Sequence, residues 1–379
     1  MGRVSPPQAE PTAPTRDVSR TSVPVTLGSR PRAVTPHRSG ARLSPASMPV
    51  EGPLVDSFGR VHSDLRISIT DRCNLRCVYC MPEEGMTFLA GDELLSFEDI
   101  GRFATVARGL GVTSVRVTGG EPLVRRGVVD LVARLAAIGF EDLALTTNGT
   151  SLGRFAQPLA AAGLRRVNIS CDSLIPERFA RIRRRGELAR VLGSMESAEA
   201  AGLAPLKVNV VLVAGVNDDE IVDFARFARD TGRIVRFIEF MPLDAEASWR
   251  RDQVVPAAEV LSTIGAHWPL EPVAPIAGDP APATRYRFAD GGGEIGVVAS
   301  VTRPFCGTCN RLRLTAEGSI RNCLFSDDEL SVREVLRRGG GDEEIALQLR
   351  RAVWGKRAGH GMDEPDFLRP SRSMSMIGG

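Results

Sequence analysis

The chain has 379 residues, of which 43% are apolar and 25% charged, with 38 glycines and 25 prolines. This composition excludes collagen, coiled coil and a wholly disordered chain, and the length admits two or three domains or one large α/β barrel with an appendage. A net charge of +2 gives no general support to a polyanion-coating role, so nucleic acid is not an expected partner.

Residues 1–47 hold eight prolines, seven serines, five threonines, seven arginines, two acidic residues and no aromatic one. Such a segment cannot bury enough apolar area to offset its ordering entropy. Residues 1–50 are therefore predicted to be a disordered tail, with Met48 left open as an alternative start. The prolines argue against an amphipathic transit helix, and no stretch resembles a signal peptide. No apolar run reaches the roughly 18 residues a membrane span needs, so a cytoplasmic protein is expected.

From Leu65 onward, short β-rich runs alternate with helical spacing. Strands are predicted at 65–70, 114–118, 143–147, 166–170, 206–213 and 234–240, with helices at 127–138, 157–162, 188–201 and 219–230. Asn217 and Asp218 are candidate caps for the last helix. Six strands, each leading into a helix, read as successive βα units on a parallel sheet. A closed eight-strand barrel needs two more units, so residues 51–243 are predicted to form an α/β fold, an incomplete (βα)6 barrel. Residues 244–379 then make a small β-containing C-terminal domain. It has one helix at 257–264, hairpins at 285–289 with 296–301 and 311–315 with 319–324, helical character at 327–357 and an extended last 22 residues.

Two counts stand out from the average. Only Lys207 and Lys356 are lysines, so the remaining 46 of the 48 basic residues are arginine. Six of seven cysteines fall into two groups of three, Cys73, Cys77, Cys80 and Cys306, Cys309, Cys323. Disulfide frameworks belong to small secreted domains, so metal ligation is the better expectation.

The first trio follows the first strand as Cys-x3-Cys-x2-Cys. A structural zinc site takes four ligands, which here requires a distant fourth, and ferredoxin-type sites use four cysteines in other spacings. Three cysteines on a four-iron cube leave one iron open to a ligand. The second trio, Cys-x2-Cys-x13-Cys, leaves zinc and iron–sulfur both open on spacing alone, with His360 available as a fourth zinc ligand.

The first motif, with Tyr79 before its last cysteine, resembles that of the radical S-adenosylmethionine (SAM) superfamily. That resemblance implies a [4Fe–4S] cluster whose open iron is chelated by SAM, on a partial (βα)6 barrel. Thr118-Gly-Gly-Glu-Pro122 follows the second predicted strand, where ligand groups of such barrels gather. Its glycines are read as allowing close backbone approach to a ligand. Tyr79, Gly120, Ser170 and Met241 match the superfamily's SAM contacts, although Met241 also reads as core.

From about Gly59 to its end the chain further resembles the GTP 3′,8-cyclase family of molybdenum cofactor biosynthesis. The pieces are Asp64-Leu-Arg-Ile-Ser-Ile-Thr-Asp-Arg-Cys73, Arg116-Val-Thr-Gly-Gly-Glu-Pro122, Arg236-Phe-Ile-Glu-Phe-Met241, Phe305-Cys-Gly-Thr-Cys-Asn-Arg-Leu-Arg313 and the terminal Ser-Met-Ile-Gly-Gly. The resemblance implies a second [4Fe–4S] cluster facing the guanine base, and radical cyclisation of GTP to (8S)-3′,8-cyclo-7,8-dihydro-GTP. It further implies GTP contacts at Arg66, Arg116, Thr146, Lys207, Arg311, Leu312 and Arg313, and a glycine tail entering the active site. Guanidinium groups suit triphosphate oxygens through paired charge-assisted hydrogen bonds. A homodimer, a flavodoxin- or ferredoxin-type reductant and a downstream cyclic pyranopterin monophosphate synthase are implied as partners. Ser114 stands where relatives often have lysine, Cys171 reads as a small core residue, and Lys356 reads as a surface or tail-packing residue. A peptide-modifying radical SAM enzyme and a non-enzymatic iron–sulfur or zinc scaffold are the competing readings.

Overall fold

Six parallel strands form the centre of the molecule: β1 (Asp64–Ser68), β2 (Ser114–Thr118), β3 (Asp142–Thr147), β4 (Arg166–Ser170), β5 (Lys207–Leu212) and β6 (Ile234–Glu239). The computed structural model describes Met1 and residues 47–274, 281–364 and 367–378. The predicted tail and the terminal Gly379 thus lie largely or wholly outside the described residues. The described residues from 47 onward form one compact unit.

The strands alternate strictly, because successive side chains of a strand face opposite sides. Leu65, Ile67, Val115, Val117, Leu143, Leu145, Val167, Ile169, Val208 and Val210 all turn into one apolar core and are at most 2% exposed. Each such fully buried side chain stabilises the fold by roughly 1.5–3 kcal/mol. The opposite parity, Arg66, Arg116, Thr146, Asn209 and Arg236 among it, lines a cavity.

Helices cover the apolar face: α1 (Phe97–Gly109), α2 (Val128–Ala137), α3 (Leu152–Ala161), α4 (Pro176–Arg183), α5 (Leu188–Ala200) and α6 (Ile221–Thr231). Helix α1 lies outside the predicted elements, yet it has a sequence signal. Ser96 accepts from the Asp99 amide at 3.0 Å and donates to the Asp99 carboxylate at 2.9 Å, closing the first turn. Helix α3 starts five residues before the predicted 157, because Leu152, Ala156 and Leu159 pack inward and Pro158 is tolerated inside the helix. Asn217 and Asp218 do not cap α6 with their side chains. The Asn217 amide is used instead to donate to the carbonyls of Asp172 and Val211, and Asp218 accepts from the Gly215 amide.

The later strands extend this same sheet rather than forming one apart. After α7 (Ala257–Gly265) come β7 (Leu270–Pro272), β8 (Thr284–Phe288), β9 (Glu294–Val298), β10 (Arg311–Leu314), β11 (Ser319–Arg321) and β12 (Glu329–Ser331). Strand β9 joins β6 in parallel and β10 joins β1 in parallel, giving a twelve-stranded sheet ordered β12-β11-β10-β1-β2-β3-β4-β5-β6-β9-β8-β7. Helices α8 (Arg333–Arg337) and α9 (Asp342–Trp354) follow. The last segment is not wholly extended, since Met374–Ile377 forms a short helix, α10.

Candidate functional site

All six clustered cysteines are free and line one cavity, Cys73, Cys77 and Cys80 from the loop after β1, Cys306, Cys309 and Cys323 from the segments around β10 and β11. Among the described residues, no three Cys, His, Asp or Glu side chains converge as ligands of a single metal ion. His360, the candidate fourth zinc ligand, is committed elsewhere. Its Nδ1 accepts from the Met362 amide at 3.1 Å, which leaves Nε2–H donating to the Ser300 carbonyl at 3.1 Å.

Three of these sulfurs, at Cys73, Cys77 and Cys309, accept from N–H donors. Cys73 Sγ accepts from the Leu75 amide at 3.4 Å and Asn148 Nδ2 at 3.8 Å. Cys77 Sγ accepts from Arg183 Nη1 at 3.3 Å, and Cys309 Sγ from Arg311 Nη2 at 3.5 Å and Lys356 Nζ at 3.4 Å. Burial pushes the Cys73 thiol up to about 11 and raises Cys80 further, as suits thiols that ionise only on binding a cation. At Cys309 burial also works upward, but Arg311 and Lys356 outweigh it and bring the thiol to about 6. Trios of soft sulfur donors supplied with N–H partners fit [4Fe–4S] ligation.

Around the first trio, the loop after β2 approaches very closely. A Cβ on Gly119 would lie 2.5 Å from the Thr70 carbonyl oxygen, and one on Gly120 2.5 Å from that of Arg72. The glycines therefore admit the cysteine loop itself, not only a ligand. Glu121 fixes the neighbouring strand end, accepting from Thr147 Oγ1 at 2.8 Å and from the amides of Asn148 and Leu123 at 2.7 and 3.0 Å. Burial raises its carboxyl to about 7 despite those donors. Tyr79, Gly120, Ser170 and Met241 all line the cavity, and the Tyr79 hydroxyl donates to Asp172 at 2.7 Å. Arg183, which the sequence gives no reason to single out, pairs with that same carboxylate at 2.7 Å.

A second group is strongly cationic. Parallel pairing sets Arg313, Arg66 and Arg116 in register across β10, β1 and β2. Arg311 and Arg236 line the same cavity. Arg236 is a site residue the resemblance does not assign. A Cβ on Gly296 would meet its Cγ at 3.2 Å, so the glycine makes its room. Burial, then neighbouring guanidiniums, lower Arg66 strongly and bring Arg236 and Arg313 to about 9. Asp64, held below its ordinary value against burial by Arg116 and Arg66, offsets only part of this charge. Among the described residues, Arg66, Arg116 and Arg311 each keep a buried Nε with no hydrogen-bond partner. Such a nest calls for a polyanion.

Thr146 lines the cavity too. Lys207 and Leu312 are not among its lining residues. Leu312 is buried between the two arginines of β10, facing the core, while Lys207 opens β5, where burial and then Arg166, Arg236 and Arg116 lower it to about 7. Ser114 donates to Asp142 at 3.2 Å, and Cys171 is fully buried. Lys356 is not a surface residue: only 3% exposed, it reaches Cys309. The tail enters the site, where Met374 and Ser375 line the cavity and Arg313 donates to the Gly378 carbonyl.

Comparison with known proteins gives the family and the fold. The model of the radical SAM superfamily matches residues 67–228, and that of molybdenum cofactor synthesis C matches 233–362. A GTP 3′,8-cyclase of Mycolicibacterium smegmatis is 49% identical over 345 residues, covering 89% of this chain and 95% of that one. The corresponding enzyme of Streptomyces coelicolor is 48% identical over 328 residues, with 86% and 96% covered. Among solved structures, Streptococcus suis SuiB bound to S-adenosylmethionine has a TM-score of 0.53 at 14% identity, covering 79% of this chain and 68% of that one. A histidine-tagged anSMEcpe with bound AdoMet has a TM-score of 0.53 at 14% identity, with 79% of each chain covered. These two share the fold.

Proposed function

This chain belongs to the GTP 3′,8-cyclase family of radical SAM enzymes, and on that premise we propose which of its residues carry the reaction. The activity is radical SAM cyclisation of GTP to (8S)-3′,8-cyclo-7,8-dihydro-GTP in molybdenum cofactor biosynthesis, with SAM and [4Fe–4S] clusters as cofactors. A [4Fe–4S] cluster held by Cys73, Cys77 and Cys80 would, once reduced, supply one electron for cleavage of SAM to methionine and a 5′-deoxyadenosyl radical.

Cys73, Cys77 and Cys80 hold the first cluster, with Arg183 neutralising charge at Cys77. Tyr79, Gly120, Ser170 and Met241 hold SAM. Cys306, Cys309 and Cys323 hold the second cluster at the guanine side. Arg66, Arg116, Arg311 and Arg313 hold the triphosphate, with Lys207, Thr146 and the Leu312 backbone completing the set. The observation that carries this reading is a single cavity lined by two thiol trios and by an arginine nest whose buried Nε groups lack partners among the described residues.

Residues 51–243 are assigned to the barrel and 244–379 to the C-terminal region that extends its sheet and carries the second trio. The family suggests a homodimer, a flavodoxin- or ferredoxin-type reductant and a cyclic pyranopterin monophosphate synthase acting on the product. No helix among the described residues is long and apolar enough to cross a membrane, and a cytoplasmic location is proposed. Anaerobic protein given dithionite, SAM and GTP should yield both 5′-deoxyadenosine and a cyclised nucleotide. Deoxyadenosine without GTP consumption would overturn the residue assignment around the nest.

A further inference from the structure

Lys356 directs its ammonium at three acceptors. They are Cys309 Sγ at 3.4 Å, the Arg311 carbonyl at 2.9 Å and the Asn322 carbonyl at 2.7 Å. An ammonium has three donors, so all are used. Arg311 lies two residues after Cys309, and Asn322 immediately precedes Cys323. One side chain thereby ties together the two arms that carry these cysteines.

The segment holding Lys356 is itself clamped. Asn322 Nδ2 donates to the Ala352 carbonyl at 2.7 Å, and the Lys356 amide to that of Val353 at 3.0 Å. Arg60, held by Asp56 at 2.6 Å, donates to the carbonyls of Cys306 at 2.6 Å and Ala358 at 3.0 Å. Among the described residues no carboxylate pairs with Lys356, and the groups that favour its ammonium against burial are the sulfurs of Cys309 and Cys323. A buried cation without an anionic partner is strongly disfavoured. The position therefore makes physical sense where the sulfurs carry negative charge, as metal ligands do. A planar guanidinium could not aim three donors around one point, which accounts for a lysine in a chain of 46 arginines.

We propose that Lys356 is a positioning residue of the second cluster, joining the Cys309 and Cys323 arms and raising that cluster's reduction potential through its fixed charge on the Cys309 sulfur. This rests on the assignment of Cys306, Cys309 and Cys323 to a cluster. Arg311 donates to the same sulfur but is also assigned to the substrate, so Lys356 is the donor that persists throughout turnover. Hydrogen bonds and charge at ligand sulfurs are established levers on cluster potential.

The test is an anaerobic redox titration followed by electron paramagnetic resonance, with iron counted in each sample. It uses the full-length chain carrying Cys73→Ala, Cys77→Ala and Cys80→Ala, so that only the second cluster is read. Lys356→Met and Lys356→Gln are compared in that background, and the wild-type chain is counted alongside. Each variant that retains its iron should titrate at lower potential, with the oxidised-to-reduced ratio at the parent midpoint raised at least tenfold, about 59 mV for one electron. If Lys356→Met sheds its iron while Lys356→Gln keeps it and shifts downward, both halves of the proposal are supported. An unshifted potential in an iron-replete Lys356→Met or Lys356→Gln chain overturns the charge role. Equal iron retention and chelator resistance in parent and both variants overturns the joining role. A wild-type chain with only about four irons instead defeats the cluster assignment itself.

Discussion

The guanidinium of Arg313 donates to the carbonyl oxygen of Gly378, so the end of the chain is held within the arginine nest. Gly378 has φ +84°, and a Cβ there would lie 2.8 Å from Ser68 Cβ and 2.9 Å from Thr118 Cγ2. Gly378→Ala should therefore expel the tail end from the carboxyl ends of β1 and β2. Losing one hydrogen bond to a charged group is worth about 1.5–3 kcal/mol, so GTP turnover should fall roughly ten- to a hundredfold. The melting temperature should barely move, since the tail adds little core. Unchanged turnover in a steady-state assay would show that the tail has no part in the reaction.

The arginine nest should cost stability until GTP arrives. Arg66→Gln removes a buried charge crowded by Arg313 and Arg116. The GTP-free chain should melt at the same temperature or higher, while calorimetry should show GTP binding weakened roughly ten- to a hundredfold. A lower melting temperature with undiminished GTP affinity would contradict this role.

Cys323→Ala separates the two trios. It should reduce iron by about four per chain and abolish GTP cyclisation, while 5′-deoxyadenosine still forms at the first trio. Retained cyclisation, measured by chromatography of the nucleotide products, would refute the second-cluster assignment.

Lys207 gives a pH signature. Its folded pKa of about 7 lies below the ordinary lysine value of 10.5, because burial and then three arginines disfavour the ammonium. The unfolded chain thus binds the extra proton between those values, and the Lys207 contribution to GTP-free stability rises with pH from about 7 toward 10.5. A triphosphate favours the ammonium, so GTP should bind with proton uptake near pH ~8 and more weakly as pH climbs. Calorimetry in two buffers of different ionisation enthalpy measures that uptake. Lys207→Met should remove it, and no uptake by the wild-type chain would exclude Lys207 from the binding set.

The buried pair of Arg183 and Asp172, 2.7 Å apart, should be costly to break from one side. Arg183→Met leaves the Asp172 carboxylate unpaired and should destabilise the chain by about 3–5 kcal/mol in denaturant titration. Adding Asp172→Asn should recover part of this. No recovery in the double variant would mean that packing, not charge, dominates the loss.

Local spacing carried a large part of the fold. The apolar parity of Leu65, Ile67, Val115 and Val117 and the turn residues between them placed the six barrel strands to within one or two residues. The two cysteine trios and the glycine pair before Glu121 were equally visible, because each is a pattern within a few neighbouring residues. The Ser96 cap of α1 is a local signal of the same kind. Burial of Lys356 was not legible, since its surroundings in the sequence are polar and glycine-rich.

Short-range pattern thus determined the strand periodicity and the two thiol trios, and the quoted motifs carried the family resemblance. Only the tertiary structure decided which of many arginines matter. Strand β10 pairs with β1 across most of the chain length, and that pairing sets Arg313 beside Arg66 and brings Cys309 to the cavity of Cys73. It also decided that His360 is spent on Ser300 and Met362 while Lys356 is turned onto a cysteine sulfur. The physical reason is that side-chain alternation is fixed by the local backbone, whereas parallel pairing between distant strands is fixed by burial of the whole sheet.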